Sequence, residues 1–167
     1  MRSGAIWLAL GLAACAPHRA APEADRNASS TLGPAGPAVT LERTPCFGRC
    51  PVYTVSVSPS GVVTYQGKAN VRLLGAATGQ IPAKQVTELL VELERAGYFT
   101  FADRYARSEP TCRRYAADSP SAISSATFRG RTKRIEHDYG CVGVPGALTL
   151  LEKRIDEVLG SERWTGR

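Results

Sequence analysis

Tyr53, Val55 and Val57 alternate with Thr54, Ser56 and Ser58, and Val62-Val63-Thr64-Tyr65 resumes the apolar pattern after Pro59-Ser60-Gly61. Successive side chains on a strand point to opposite faces, so a period of two fits a sheet with one buried and one wet face and does not fit a helix. Residues 52–66 are therefore predicted to form a hairpin ended by Gly67. Val39 to Arg43 reads as a shorter strand beside it. Val71 to Leu74 is a fourth β candidate, followed by a loop carrying Gly75 and Gly79.

The period then changes. Val86, Leu89, Leu90 and Leu93 fall at i, i+3, i+4 and i+7, with Lys84, Gln85, Glu88, Glu92 and Arg95 elsewhere on the wheel. That spacing predicts one amphipathic helix that begins at Ile81-Pro82, where proline suits a first turn, and ends near Gly97. Tyr98-Phe99-x-Phe101 continues the apolar surface, and residues 102–121 read as a long loop. Ala122 to Phe128 and Thr132 to Tyr139 predict a second hairpin across Arg129-Gly130-Arg131. A last helix puts Leu148, Leu151, Ile155, Val158 and Leu159 on one side and Glu152, Lys153, Arg154 and Glu157 on the other. The expected fold class is α+β: an antiparallel sheet built of two hairpins, each followed by a helix packed on one face, in a ββαββα-like order.

The first residues resemble a bacterial lipoprotein signal peptide. Met1-Arg2-Ser3 is a positive start, Ala5 to Leu12 a short apolar run, and Leu12-Ala13-Ala14-Cys15 a cleavage box. The run is too short to span a bilayer, which takes roughly 20 apolar residues. The resemblance implies removal of residues 1–14 and acyl groups on the sulfur and new amine of Cys15, which would hold the protein on the membrane without a spanning helix. Ala16, in place of the aspartate that often signals inner-membrane retention, implies the outer membrane, facing the periplasm. Residues 15–38 then read as the lipidated cysteine and an Ala/Pro-rich linker, and residues 39–167 as one domain.

The formal net charge of +6 falls by one with loss of Arg2 and is too mild for a nucleic-acid binder. Arg129, Arg131, Lys133 and Arg134 form the one dense basic cluster, a candidate binding patch for anionic lipid or polymer; the alternative is a solvated hairpin tip around Gly130. With Cys15 assigned to lipid, four cysteines remain, and an even number in an exported chain predicts disulfides with three possible pairings. Spacing favours Cys46 with Cys50, a tight ring with Gly48 inside it, and Cys112 with Cys141, stapling the long loop to the sheet. The crossed pairings stay open.

Pro45-Cys46-Phe47-Gly48-Arg49-Cys50-Pro51-Val52-Tyr53, Gly61-x-x-Thr64-Tyr65-x-Gly67 and Leu93-x-x-x-Gly97-Tyr98-Phe99 resemble the bacterial envelope family called domain of unknown function 6438. Later blocks are similar too: Asp118-Ser119-Pro120, Lys133-x-x-x-His137-Asp138-Tyr139-Gly140, Leu151-Glu152-x-x-Ile155-Asp156 and Glu162-Arg163-Trp164. The resemblance covers about residues 39–165. It implies an envelope protein and carries no activity, ligand or catalytic residue with it.

Cys46 and Cys50 with a distant His137 also resemble the copper-binding set of Sco-type chaperones, since two soft thiolates and an imidazole suit copper. That fold needs a helix starting at the cysteine motif to lower the thiol pKa, and here the alternation of a hairpin follows instead. A four-cysteine zinc site is disfavoured by an oxidising compartment. His137 and Asp138 suggest a hydrolase, with Ser119, Ser121, Ser124 or Ser125 as nucleophile, yet neighbours on a strand face opposite ways and cannot pair as a base and its carboxylate. Tyr53, Tyr65, Tyr98, Phe99 and Phe101 read as core, Asp118-Ser119-Pro120 as a turn, and Trp164 as packed on the domain or lying at a membrane surface. The expectation is a lipid-anchored envelope domain with a binding, scaffolding or inhibitory role and no cofactor. Its partners are the membrane through Cys15 and another envelope protein or an anionic polymer, and the alternative is copper or thiol-redox work by Cys46, Cys50 and His137.

Overall fold

The computed structural model describes residues 36–166. The signal segment, Cys15 and most of the linker lie outside the described residues. β1 (Val39–Arg43), β2 (Val52–Val57), β3 (Val62–Ala69) and β4 (Gly75–Gln80) precede α1 (Ala83–Arg95). A 3-10 turn at Tyr98–Thr100 leads to β5 (Arg104–Tyr105), β6 (Arg114–Tyr115), β7 (Ser121–Phe128), β8 (Arg131–Asp138) and β9 (Cys141–Val142). α2 (Gly146–Leu159) and α3 (Glu162–Thr165) complete the order. The fold is mixed α+β with a mostly antiparallel sheet.

The sheet is larger than two hairpins. Its seven strands run β4-β3-β2-β1-β7-β8-β5, and β6 pairs with β9 as a separate ladder. β1 is the seam: Leu41 faces Val55 of β2 on one side and Ser124 of β7 on the other. β5 adds a parallel edge to β8. One face of the sheet carries Val39, Leu41, Val55, Val57, Val63, Ala126 and Ile135, all buried in one core with Leu89, Leu93, Leu148 and Ile155 of the helices. Thr40, Ser56, Thr64 and Ser125 alternate onto the other face and bond one another in pairs, Thr40 with Ser125 and Ser56 with Thr64.

α1 keeps the predicted stripe. Val86, Leu89, Leu90 and Leu93 are its buried residues, each contributing about 1.5–3 kcal/mol on removal from water. The helix stops at Ala96 because Gly97 takes φ 82°, the left-handed region that a side chain disfavours. Gly97→Ala should destabilise the domain by about 1–2 kcal/mol. Urea unfolding reads this out, and an unchanged midpoint would show that the chain leaves the helix by another route.

The β7–β8 connection puts Arg129 at φ 49° and Gly130 at φ 73°, both positive, as a two-residue type I′ hairpin turn requires. The fourth strand lies elsewhere than the apolar residues suggest. Val71 to Leu74 form a bend, and the strand is Gly75–Gln80. β3 runs on to Ala69 and Gly67 pairs with Gly75; a Cβ at Gly67 would overlap the Leu73 carbonyl oxygen, so glycine there lets the bend fold back against β3. The bend is sealed by the C-terminal segment, since Arg72 and Leu73 donate their N–H groups to Thr165 and Trp164 carbonyls. Trp164 packs on the domain, stacked on Tyr65 with ring centroids 4.9 Å apart.

Candidate functional site

Strand register assembles the site. At the end of the sheet where β1 finishes, Tyr53 pairs with Arg43, Arg43 with Ala122, Ala122 with His137, and His137 with Tyr105. These cross-strand neighbours share the helix-facing side, and α2 lays Glu152 and Asp156, one turn apart, over them. Asp156 takes the Tyr53 hydroxyl at 2.6 Å and the Ser161 hydroxyl at 2.7 Å on Oδ1, and the Arg43 guanidinium at 2.8 Å on Oδ2. Glu152, fully buried, has both oxygens 3.0 Å from Nδ1 of His137. Between Arg43 and His137 the row carries only the methyl of Ala122. Tyr139 bridges this gap, its hydroxyl accepting from Arg43 and donating to Glu152 at 2.6 Å.

The electrostatics fix the direction of this chain. Burial raises the Tyr139 phenol pKa; Glu152 adds to the rise and Arg43 opposes it. Burial, then the charge of Asp156, raises Tyr53. Both hydroxyls therefore remain donors to carboxylates. Burial works against the charge of Arg43, but Asp156, Tyr139 and Tyr53 together outweigh it and the guanidinium pKa is raised. Where the network meets solvent it floors a cleft of about 280 Å³ lined by Arg43, Tyr53, Tyr139 and Asp156, with Cys50, Pro51, Pro120 and Thr165 around them. A cavity of about 350 Å³ shares Tyr53 and Asp156 and adds Lys153, Glu157, Ser161 and Glu162. A larger open depression of about 700 Å³ runs along α1 from Thr87 to Ala96 and contains none of these network groups.

The loops beside the cleft are tied down. Cys46 and Cys50 form one disulfide, with Cα atoms 5.7 Å apart, and Cys112 and Cys141 the other, at 5.1 Å. Phe47 N–H donates to the Asp118 carbonyl, Gly48 N–H to Cys46, and the Asn70 amide to the Cys50 carbonyl. The side chain of Phe47 is nonetheless 89% exposed, and Leu74, in the connection that begins at Asn70, is 64% exposed.

Residues 37–159 match the family described as Domain of unknown function (DUF6438). The chain belongs to this family. No curated protein matches it. The blocks that carry the family resemblance, distant in sequence, converge on the network: the cysteine block brings Tyr53, the later strand His137 and Tyr139, and the last helix Glu152 and Asp156.

The other candidate residues of this family member fall in different surroundings. Arg129, Arg131, Lys133 and Arg134 lie at or near the β7–β8 tip, at the opposite end of those strands from Tyr139. Arg129 and Arg131 both pair with Glu94 of α1, Lys133 pairs with Asp103, and Arg131 also covers the Phe99 ring. Arg134 is exposed on the sheet face away from Ile135. Cys46, Cys50 and His137 are not brought together: among the described residues no group of three or more His, Cys, Asp or Glu is placed to hold a metal ion. Cys50 leads into strand β2, and Nδ1 of His137 is engaged by Glu152. Asp138 turns away from His137 and accepts from the Gly140 N–H at 2.8 Å.

Sequence reasoning missed Glu152, which it placed on the polar side of the last helix. The signal was present: position 152 is four after Leu148 and three before Ile155, on the stripe that the helix buries.

Proposed function

We propose that this member of the family is a lipid-anchored envelope protein, tethered through Cys15 at the periplasmic face of the outer membrane, whose domain binds another envelope protein without catalysis. The observation that carries the binding reading is Phe47. A large apolar side chain held almost fully in solvent loses favourable burial, and here a disulfide ring and flanking hydrogen bonds keep it there. Aromatic anchors of this kind dominate many protein interfaces, and fixing one before contact lowers the entropy cost of docking. The cleft next to the ring, with its ion pair already satisfied by Tyr53, Tyr139 and Ser161, supplies a shaped polar floor beside that anchor.

The anchor is tested with a photoreactive phenylalanine analogue at position 47 in cells, expected to give one discrete adduct, with Thr40 on the far sheet face as the control position. Phe47→Ala should then weaken binding of the captured partner at least tenfold while changing stability by less than about 0.5 kcal/mol. Equal adducts from positions 47 and 40 would overturn the reading. Fatty-acid labelling of the wild-type chain and of Cys15→Ser tests the tether separately, and absence of label on the wild type would remove it.

A further inference from the structure

Among the described residues β4 is an edge strand that carries no charge, proline or bulge of its own. It closes one side of the seven-stranded sheet, and Gly75–Gln80 contains no lysine, no other charge and no proline. Its pairing with β3 runs from Gly67↔Gly75 to Val62↔Gln80 without a register shift, so no bulge twists the edge away. Sheet edges of this kind are templates for another strand.

The ladder determines which groups face outward. Ile81 N–H bonds the Gly61 carbonyl, and Ser58 N–H bonds the Val62 carbonyl. In an antiparallel ladder hydrogen-bonded and non-bonded pairs alternate, so Gly75, Ala77 and Gly79 bond inward to β3 while Ala76, Thr78 and Gln80 turn their N–H and C=O away from it. Among the described residues no strand receives them. The opposite edge, β5, is only two residues long.

We infer that β4 pairs with β4 of a second copy of this chain, antiparallel, about a two-fold axis at Thr78. That register sets Thr78 opposite Thr78 and Ala76 opposite Gln80, and every outward N–H and C=O of these residues then has a partner. A two-fold axis brings like against like, so a strand with one charged residue near its centre would repel itself; β4 has none. Arg163 lies over Gly79 with its guanidinium against the Trp164 ring and donating to the Leu159 carbonyl. The depression beside β4, of about 260 Å³, is lined by Ala76, Ala77 and Thr78 together with residues of β2 and β3, so it lies on the sheet and not beyond its edge. The small side chains of Gly-Ala-Ala-Thr-Gly-Gln offer a foreign strand little to select by, whereas an identical strand needs no selection. The pairing joins two sheets into one continuous sheet of twice the width.

The test is cysteine trapping of the full-length chain in its own membranes. Directly opposed residues in a hydrogen-bonded antiparallel pair have Cα atoms about 5.5 Å apart, within disulfide reach. Thr78→Cys should therefore give a reducible dimer on mild oxidation, at least tenfold more than Thr64→Cys on the neighbouring inner strand. Ala76→Cys alone should not cross-link, but should do so when co-expressed with Gln80→Cys. Adding Thr78→Lys to that pair should abolish the product, while the monomer keeps its unfolding midpoint. Thr78→Cys dimers no more abundant than those of Thr64→Cys, or Ala76→Cys cross-linking to itself equally well, would overturn the proposal. Capture of a different protein at Thr78→Cys in place of a dimer would also overturn it and assign the edge to that partner.

Discussion

Glu152→Ala is expected to destabilise the domain by about 3–5 kcal/mol, since a cavity opens and two hydrogen-bond partners lose the group they bond. The Glu152 side chain is fully buried, lies 3.0 Å from Nδ1 of His137 and accepts the Tyr139 hydroxyl, so alanine leaves the buried His137 and the half-buried Tyr139 facing a cavity. In thermal unfolding the shift should be roughly 10–20 °C downward. The loss comes from orphaned partners, so removing them together should restore part of it. The double variant Glu152→Met, His137→Leu should regain at least half of the lost stability, since Tyr139 keeps its bond from Arg43. A single variant within about 1 kcal/mol of wild type, or a double variant no better than the single, would show that the network is dispensable to the fold.

Removing the Cys112–Cys141 disulfide by paired serines should cost about 3–4 kcal/mol, the loop-entropy value for a sequence separation of 29. The bond ties the segment after β5 to the strand that leads into α2, beside the short β6–β9 ladder. Hydrogen exchange should show the loss concentrated at residues 106–120 and 139–145. The Cys46–Cys50 ring, with a separation of 4, should cost only about 2 kcal/mol by the same model. The two losses should also differ in kind: opening the small ring frees Phe47 and should weaken partner capture, while opening the large loop should leave it intact. Equal effects of both pairs on capture would mean that Phe47 is not held by its ring.

The strands that bury one face were legible because burial forces alternation. β1, the β2–β3 hairpin and the β7–β8 hairpin lie where the period-two runs lie, and α1 and α2 where the 3.6-residue stripes lie. β4 escaped because an edge strand of alanine, threonine, glycine and glutamine has little apolar burial to advertise, whereas Val71, Leu73 and Leu74, with better strand-forming side chains, sit in a bend that the missing Cβ of Gly67 accommodates. β5 and β6, two residues each, are too short for any period and exist only through pairing with β8 and β9. The site was visible in parts. Tyr53, His137, Tyr139, Glu152 and Asp156 were all in recognisable blocks, but that Arg43 and Asp156 meet depends on β1 entering the sheet between two hairpins that are distant in sequence. Local pattern cannot carry that information.

The central place of β1 has a mechanical meaning. Ala38, just before it, gives its N–H to Val57 and receives one from Thr127, so the entry to β1 is gripped from both sides at once. A pull from the N-terminus along the strand axis therefore loads both flanking ladders in shear, with their hydrogen bonds sharing the force. Detaching an edge strand would break them in sequence, like a zip. For the tether proposed at Cys15, this geometry would set the bonds of both ladders against the pull together rather than one at a time.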